Sequence, residues 1–404
     1  MHAEGLEAVP CSRNELVTMP IKLKTFAYTT TIWREWEGKR KNLFNVYTRE
    51  LRFLSALIPL MNKTATSLTL PMESCPILQM AAVQWPQLKE LILTGRFIVV
   101  AQPASLHLLL RSMPALRVLS VQAARSRRIG RRPLFTPAFN STSSSNGASR
   151  RVVPRGSSPA PLLPELRSLT IAFPDPQDDV FSIDARHLTH LSLRDFPRYY
   201  HYFAQQIRVV ERDWVFPILS PAECLSILKR LVMPSLDSLE LVYEAPEAGS
   251  DDELLTHVAE AYPRLSHLEI HRYRKDRAER VQHVGIAISP VQAPSTHSSQ
   301  QVHIASKLVA ARSLRTIHLN LDFHDDHGPY YTDDGLYDPY YATLTQERGP
   351  ALLTVLESCP LLEFVGVLYH DRDRTVWLQF HPSRCAEPHF VHPKSAKFRW
   401  VVGL

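Results

Sequence analysis

Two histidines in this sequence are spaced as the ligands of a metal site can be. His267 and His271 are four residues apart, which on a helix would place both imidazoles on one face, where they could bind zinc. The run HLEIH, however, alternates polar and apolar residues, and this alternation predicts a strand. In a strand the two side chains stand about 13 Å apart. We therefore expect no metal site here.

A second group of histidines and acids lies further along the chain. His324 and His327 flank two aspartates, and the segment Asp322–Tyr341 contains six Asp and five Tyr. A calcium loop needs oxygen ligands at alternating positions around a central glycine, and neither spacing fits this segment. We predict an acidic, tyrosine-rich surface loop, which could join a partner-binding surface because Tyr is enriched in interfaces.

Motifs typical of enzymes are absent from the sequence. There is no G-x-S-x-G, H-E-x-x-H, G-x-x-x-x-G-K-[ST] or G-x-G-x-x-G. The five cysteines form no C-x-x-C pair, so we expect free thiols in a reducing compartment. No signal peptide or membrane-length apolar run is visible. We predict a non-catalytic protein without cofactor or metal, located in the cytoplasm or alternatively in the nucleus.

Positive charge is concentrated in one segment. The chain has a net charge of +6, but residues 122–161 alone contain eight Arg and no acid. Five of these arginines lie close together: Arg125, Arg127, Arg128, Arg131 and Arg132. Such a cluster is typical of nuclear import signals and of nucleic-acid contacts. A disordered, phosphorylatable linker is the simpler interpretation, because the segment is also rich in Ser and Pro.

The elements that position the polar residues come from an internal repeat. The pattern Leu-x-x-Leu-x-[Leu/Ile/Val] occurs six times, starting at Leu88, Leu116, Leu166, Leu188, Leu236 and Leu265. Chance would give roughly one or two copies at this leucine content. Looser copies begin at Leu23, Ala65, Leu314 and Leu362. Most copies follow a proline, which is expected to end the preceding helix and mark the start of a strand.

The spacing of the copies predicts the architecture. Gaps of 22 to 29 residues match one repeat of a solenoid, whereas gaps of 42 to 50 residues hide either a degenerate repeat or an insertion. The alternating leucines face one way, so stacked copies form a parallel sheet over a continuous core. Between them, Ser220–Glu223 and Ser250–Glu253 match capping boxes that begin helices.

The residues between the leucines should face a partner. Eight of them carry polar or charged groups on the predicted concave face: His190, Arg194, Glu240, His267, Glu269, His271, His318 and Asn320. A face that mixes His, Glu and Arg suits a protein–protein interface. A merely solvated sheet face is the alternative. Nucleic acid and membrane are not expected partners of this face.

These features predict an α/β leucine-rich-repeat solenoid, an irregular horseshoe with a parallel concave sheet, outer helices and disordered insertions. The expected segments are a disordered or residual cap at 1–18, solenoid at 19–121, an Arg/Ser/Pro-rich insertion at 122–161, solenoid at 162–370 with polar loops near 284–300 and 322–341, and a C-terminal cap at 371–404.

The repeats, with the variant Cys-Pro-Leu-Leu at 359–362, resemble the fungal F-box/leucine-rich-repeat group over residues 19 to about 370. The resemblance implies that the repeats hold a substrate while an F-box docks a Skp-type adaptor of a cullin-RING ubiquitin ligase. The sequence departs from that pattern because no Leu-Pro-x-Glu-like opening precedes the first repeat. The alternatives are a free-standing scaffold, a paralogue without a ligase link, or a nuclear nucleic-acid-associated protein.

Overall fold

The computed structural model describes residues 22–30, 43–97, 101–126, 134, 163–198, 214–215, 217–245, 249–274, 296–321, 339–370 and 375–383. The predicted segment 1–18 and nearly all of the insertion 122–161 lie outside the described residues, as does the predicted acidic loop 322–341 up to residue 338. The end of that loop is helical instead, because a helix begins at Pro339. The predicted polar loop at 284–300 is partly described, and there the expectation is wrong, because the chain is already helical from Thr296 onward.

The chain is an α/β protein in which strands and helices follow one another. The strands are β1 Thr25–Ala27, β2 Ser67–Pro71, β3 Glu90–Arg96, β4 Val118–Ser126, β5 Ser168–Ala172, β6 His190–Arg194, β7 Trp214–Val215, β8 Ser238–Ala245, β9 His267–Arg274, β10 Thr316–Asn320, β11 Phe364–His370 and β12 Thr375–Phe380. The α-helices are α1 Leu43–Leu57, α2 Ile77–Ala81, α3 Ala101–Arg111, α4 Pro221–Arg230, α5 Asp252–Ala261, α6 Thr296–Leu308, α7 Pro339–Thr343 and α8 Gly349–Leu356.

The strands form one sheet in the order of the chain. Strands β1 to β6 and β8 to β11 are each parallel to the next, and β12 closes the edge antiparallel to β11. All ten predicted units supply a strand of this sheet. Because β4 pairs directly with β5, and β9 directly with β10, the long gaps between these strands are insertions and do not hide a repeat in the sheet. Strand β7 belongs to one insertion and pairs antiparallel with the end of β4.

A tight turn precedes the strands and explains the recurring proline. The amide of Leu116 donates to the carbonyl of Met113 (3.2 Å), and Leu236 and Met233 repeat the bond at 3.2 Å. The proline thus lies at the second position of a turn, where its fixed φ is favourable. The unit without the proline makes the same turn, since Leu188 donates to Ala185 (2.9 Å).

The leucines of the repeat build one continuous core with the helices. The inward residues of the strands, such as Leu91 and Leu268, are at most 1% exposed, and they share a cluster with Leu54 of α1 and Leu255 of α5. Successive helices also touch, as α4 does with α5 and α5 with α6. Burial of apolar area at about 25 cal/mol per Å² is the main stabilising term of such a core. The opposite face of the sheet is left to the polar positions.

One of the two predicted capping boxes is confirmed. Ser220 Oγ accepts from the amide of Glu223 (3.3 Å), and the Glu223 carboxylate accepts from the amide of Ser220 (2.8 Å). The prediction at Ser250 is wrong, because α5 follows Asp251 without a side-chain cap. The Asp251 carboxylate instead accepts from Tyr243 Oη (2.8 Å) and Arg272 Nε (2.9 Å). Pairing with these buried groups outweighs a cap on solvent-facing amides.

Candidate functional site

The eight predicted residues lie together on four adjacent strands. We call the side of the sheet away from the leucine core the polar face. The register aligns Glu240 of β8 with Glu269 of β9, and Glu269 with His318 of β10. His271 aligns with Asn320 in the next row of the same face. His190, Arg194 and His267 complete this part of the face, and parallel pairing with one register brings all eight together.

Exposure differs strongly among these eight residues. His267 is exposed, and His190, Arg194, Glu269 and His318 are half-buried. Glu240, His271 and Asn320 are buried, at 8%, 0% and 4% exposed. The expectation that the whole set faces a partner is therefore wrong for these last three. Two side chains that the repeat pattern does not include contact two of them: Arg198 pairs with Glu240, and the Trp377 ring lies 5.7 Å from the His271 ring.

Arg198 links three carboxylates of the polar face. Its Nη1 donates to Asp195 Oδ1 (3.0 Å), and its Nη2 donates to Glu269 Oε1 (3.1 Å) and also to Glu240. Only 12% of the Arg198 side chain is exposed. With His271, whose Nε2 is 2.6 Å from Glu269 Oε1, these residues form what we call the Arg198 cluster: Asp195, Arg198, Glu240, Glu269 and His271. No local sequence signal marks Arg198 as the link between the strands, because only Asp195 is near it in the chain and Glu240 and Glu269 are 42 and 71 residues away.

The surroundings of Glu240 and Glu269 favour the ionised form of both carboxyl groups. Burial opposes ionisation of Glu240, but Arg198, Arg194 and His271 together with a hydrogen bond from Ser192 (2.6 Å) lower its pKa below the usual range. Burial also opposes ionisation of Glu269, and the His271 hydrogen bond and the Arg198 charge lower its pKa nonetheless. The polar face thus carries fixed charges that are paired with one another.

A buried tyrosine anchors the cluster. Tyr273 Oη donates to Asp195 Oδ2 (3.1 Å), so both oxygens of a carboxylate that is 1% exposed accept hydrogen bonds. A fully satisfied buried carboxylate resists rearrangement, because each lost bond would leave a charged atom without a partner. Arg198 is therefore held in place on the Asp195 side.

An aromatic group borders the cluster at the edge of the sheet. The Trp377 ring of β12 lies 4.8 Å from the His318 ring and 5.7 Å from the His271 ring, both edge to face. Phe364 packs 5.3 Å from His318 on the other side. Gly366, which pairs with His318, leaves room for the imidazole, since a Cβ there would lie 2.6 Å from His318 Cδ2. The local sequence of β12 does not indicate this position for Trp377.

Among the described residues, one group has the donor types of a metal site. Ligand atoms of Glu240, Glu269 and His271 lie within 4.8 Å of one another. The Arg198 guanidinium already pairs with both carboxylates, so the group acts as an ion-pair network. The pair His267 and His271 does not converge on a cation either: His267 Nδ1 is 2.7 Å from Thr316 Oγ1, and His271 bonds Glu269.

The structure corrects one residue of the predicted arginine cluster. Arg125 is 0% exposed in β4, where it pairs with Val215 of β7, so it cannot contact nucleic acid or an import receptor in this fold. The antiparallel β7 covers the end of β4, which the sequence pattern did not anticipate. Arg127, Arg128, Arg131 and Arg132 lie outside the described residues.

The described cysteines are packing residues. Cys75, Cys224 and Cys359 are free and buried. Burial raises the pKa of Cys75 to about 12, so its thiol is neutral at physiological pH and weakly reactive. Cys75 and Cys359, each within a Glu-Ser-Cys-Pro sequence, both belong to the hydrophobic core.

Comparison with known proteins does not identify a family. No protein-family model matches the chain, and no curated protein matches its sequence. Within the described part of the chain, no helix is both long and apolar enough to cross a bilayer.

Proposed function

We propose that this protein is a leucine-rich-repeat solenoid that recognises another protein on its polar face, without catalysing a reaction. The repeat in the sequence, the chain-ordered parallel strands and the turn before each strand support the solenoid. In such folds a curved sheet presents its outward positions side by side as an extended binding surface. Here those positions form a contiguous polar area from β6 to β10.

The Arg198 cluster is the observation that carries this proposal. Its charges are paired internally and tied to buried tyrosine, so the side chains are ordered before any partner arrives. Preorganised polar groups lose little entropy on binding and favour specific recognition. Half-exposed His190, Arg194, Glu269 and His318 with the aromatic Trp377 have the mixed polar and aromatic composition of protein interfaces.

The experiment is affinity capture with matched variants. The full chain, immobilised, is incubated with fungal cell extract, and the bound proteins are quantified by mass spectrometry. A double variant, His190→Ala with Arg194→Ala, should lose the specific partner. Lys229→Ala, which removes a half-exposed cation on α4 of the outer layer, should retain it. Equal capture by all three chains would contradict recognition on the polar face.

The family resemblance adds a narrower proposal, that the partner is a substrate delivered to a cullin-RING ubiquitin ligase. The same capture distinguishes this role from a free-standing scaffold. Co-purification of a Skp-type adaptor and a cullin with both the wild type and the double variant would support the ligase role, because adaptor docking should not need the polar face. Capture of a partner without adaptor or cullin would support the scaffold.

A further inference from the structure

The two oxygens of the Glu269 carboxylate are in different situations. Oε1 accepts from Arg198 Nη2 (3.1 Å) and lies 2.6 Å from His271 Nε2. Oε2 accepts no hydrogen bond from any described residue, and the side chain is 30% exposed. One oxygen therefore holds the carboxylate in a fixed orientation while the other faces solvent, ready to accept a donor from outside.

The charges around this oxygen favour a cation. Among the described residues, Asp195, Glu240 and Glu269 supply three carboxylates against the two guanidinium groups of Arg194 and Arg198, and His271 balances the excess carboxylate only when it is protonated. Burial lowers the pKa of His318, so its imidazole adds no positive charge at neutral pH. Phosphate or an acidic peptide would be repelled by the exposed carboxylate, whereas a basic side chain would be attracted.

Two residues next to Glu269 contact an aromatic ring. Trp377 packs against His318 and His271, at 4.8 and 5.7 Å between ring centroids, and these are the cross-strand neighbour and the hydrogen-bond partner of Glu269. Trp377 is itself half-exposed. A lysine or arginine side chain that reaches Glu269 can also lie near Trp377, and the ring quadrupole and the carboxylate both attract positive charge.

We propose that Glu269, with Trp377 and His318 beside it, is the subsite that binds a lysine or arginine side chain of the recognised protein. This inference rests on the proposed function and names the chemistry of the partner. The internal Arg198 already shows that these carboxylates accept a guanidinium in this geometry. A basic side chain from a partner donates to Oε2 and lies against Trp377. A bare metal ion is a poorer occupant, since it would need Oε1 and Glu240, which Arg198 holds.

The test uses four pools of fluorescent nonapeptides with random neutral flanks and a central Arg, Lys, Gln or Glu. Their binding to the full chain is measured by fluorescence anisotropy at pH 7.5 and low salt. We expect the Arg or Lys pool to bind about tenfold more tightly than the Gln pool, as for one charge-assisted contact, and the Glu pool to bind most weakly. Added salt should reduce the difference.

Two variants assign the preference to its residue. Glu269→Gln should abolish the difference between the basic and Gln pools. Glu90→Gln, a control at a half-buried acid on β3 of the same sheet face, should leave it intact. Equal affinity of the wild type for the Arg, Lys and Gln pools, no binding of any pool, or a preference that survives in Glu269→Gln would each overturn the inference.

The inference and the proposed function can fail separately. If Glu269→Gln still captures the cellular partner while the His190 and Arg194 double variant does not, the polar face binds a protein but not through a cation at Glu269. If neither variant loses the partner, recognition on the polar face itself is wrong.

Discussion

The polar face has two halves that differ in structure, the first on strands β1 to β5 and the second on strands β6 to β10. One serine–glutamate pair from each half shows the difference. Ser67 donates to Glu90 between β2 and β3, and Ser192 donates to Glu240 between β6 and β8, each over 2.6 Å. Both pairs are register neighbours on parallel strands. Glu90 is half-buried and needs no further partner, whereas Glu240 is 8% exposed and also contacts Arg198.

The middle row of the face changes in the same way. In the first half it holds small or neutral residues, namely Thr69, Ile92, Ser120 and Thr170. In the second half it holds Ser192, Glu240, Glu269 and His318. Small neutral residues tolerate close packing without a counter-charge, but buried acids require one. The comparison teaches that the repeat sets the direction of each side chain, while the second half needs a residue from outside the repeat.

The largest expected effect is a loss of stability when a leucine is removed from the core that both halves share. Leu91→Ala in β3 and Leu268→Ala in β9 each remove a buried leucine of the common core, so each should lower the free energy of unfolding by about 2–5 kcal/mol. Urea unfolding followed by circular dichroism measures both. If one substitution were nearly neutral, the core would not be equivalent in the two halves.

The second-largest expected effect is a loss of stability that differs between the two halves of the polar face. Glu240→Gln leaves the Arg198 guanidinium buried with one carboxylate fewer and should destabilise by about 3 kcal/mol. Glu90→Gln should cost no more than about 1 kcal/mol, because its surroundings are partly solvated. The same unfolding experiment compares them. Equal losses of unfolding free energy in the two variants would show that the ion pair between Arg198 and Glu240 does not stabilise the second half.

A smaller effect concerns the edge of the second half. Gly366→Ala places a methyl group 2.6 Å from His318 Cδ2 and should destabilise by about 1–2 kcal/mol, as overpacking does. Combining it with His318→Ala removes the clash, so the double-mutant cycle should show positive coupling. Additive losses would mean that the two residues do not contact each other in solution.

The smallest effect is a dependence on pH. Burial lowers the pKa of His190 and of His318 below 6.5, so the unfolded chain binds their protons first as the pH falls. Their contribution to stability is complete above pH 6.5 and is lost as the pH falls through the folded pKa values. The unfolding free energy of a double His→Gln variant at 190 and 318 should vary less with pH between 6.5 and 5 than that of the wild type. An unchanged slope would contradict the burial of these imidazoles.

Local patterns predicted much of the fold. The alternation after Leu236 and Leu265 correctly placed β8 and β9 and assigned Glu240 and Glu269 to the polar face. It did not predict burial, and His271 was expected to be exposed although it is covered completely. Exposure depends on what packs above a residue, and Trp377 reaches His271 from more than one hundred residues away in the chain.

The sequence by itself determined the positions of the ten repeat strands, the leucine core and the side of the sheet on which the polar residues lie, because a period-two pattern and a turn proline act within a few residues. Only the tertiary structure decided that the long gaps are insertions, that Arg125 is buried beside β7, and that Arg198 joins three acids. Those outcomes depend on contacts between segments that are distant in the chain. The free energy of such contacts is set by desolvation and geometry, and it leaves no local pattern in the sequence.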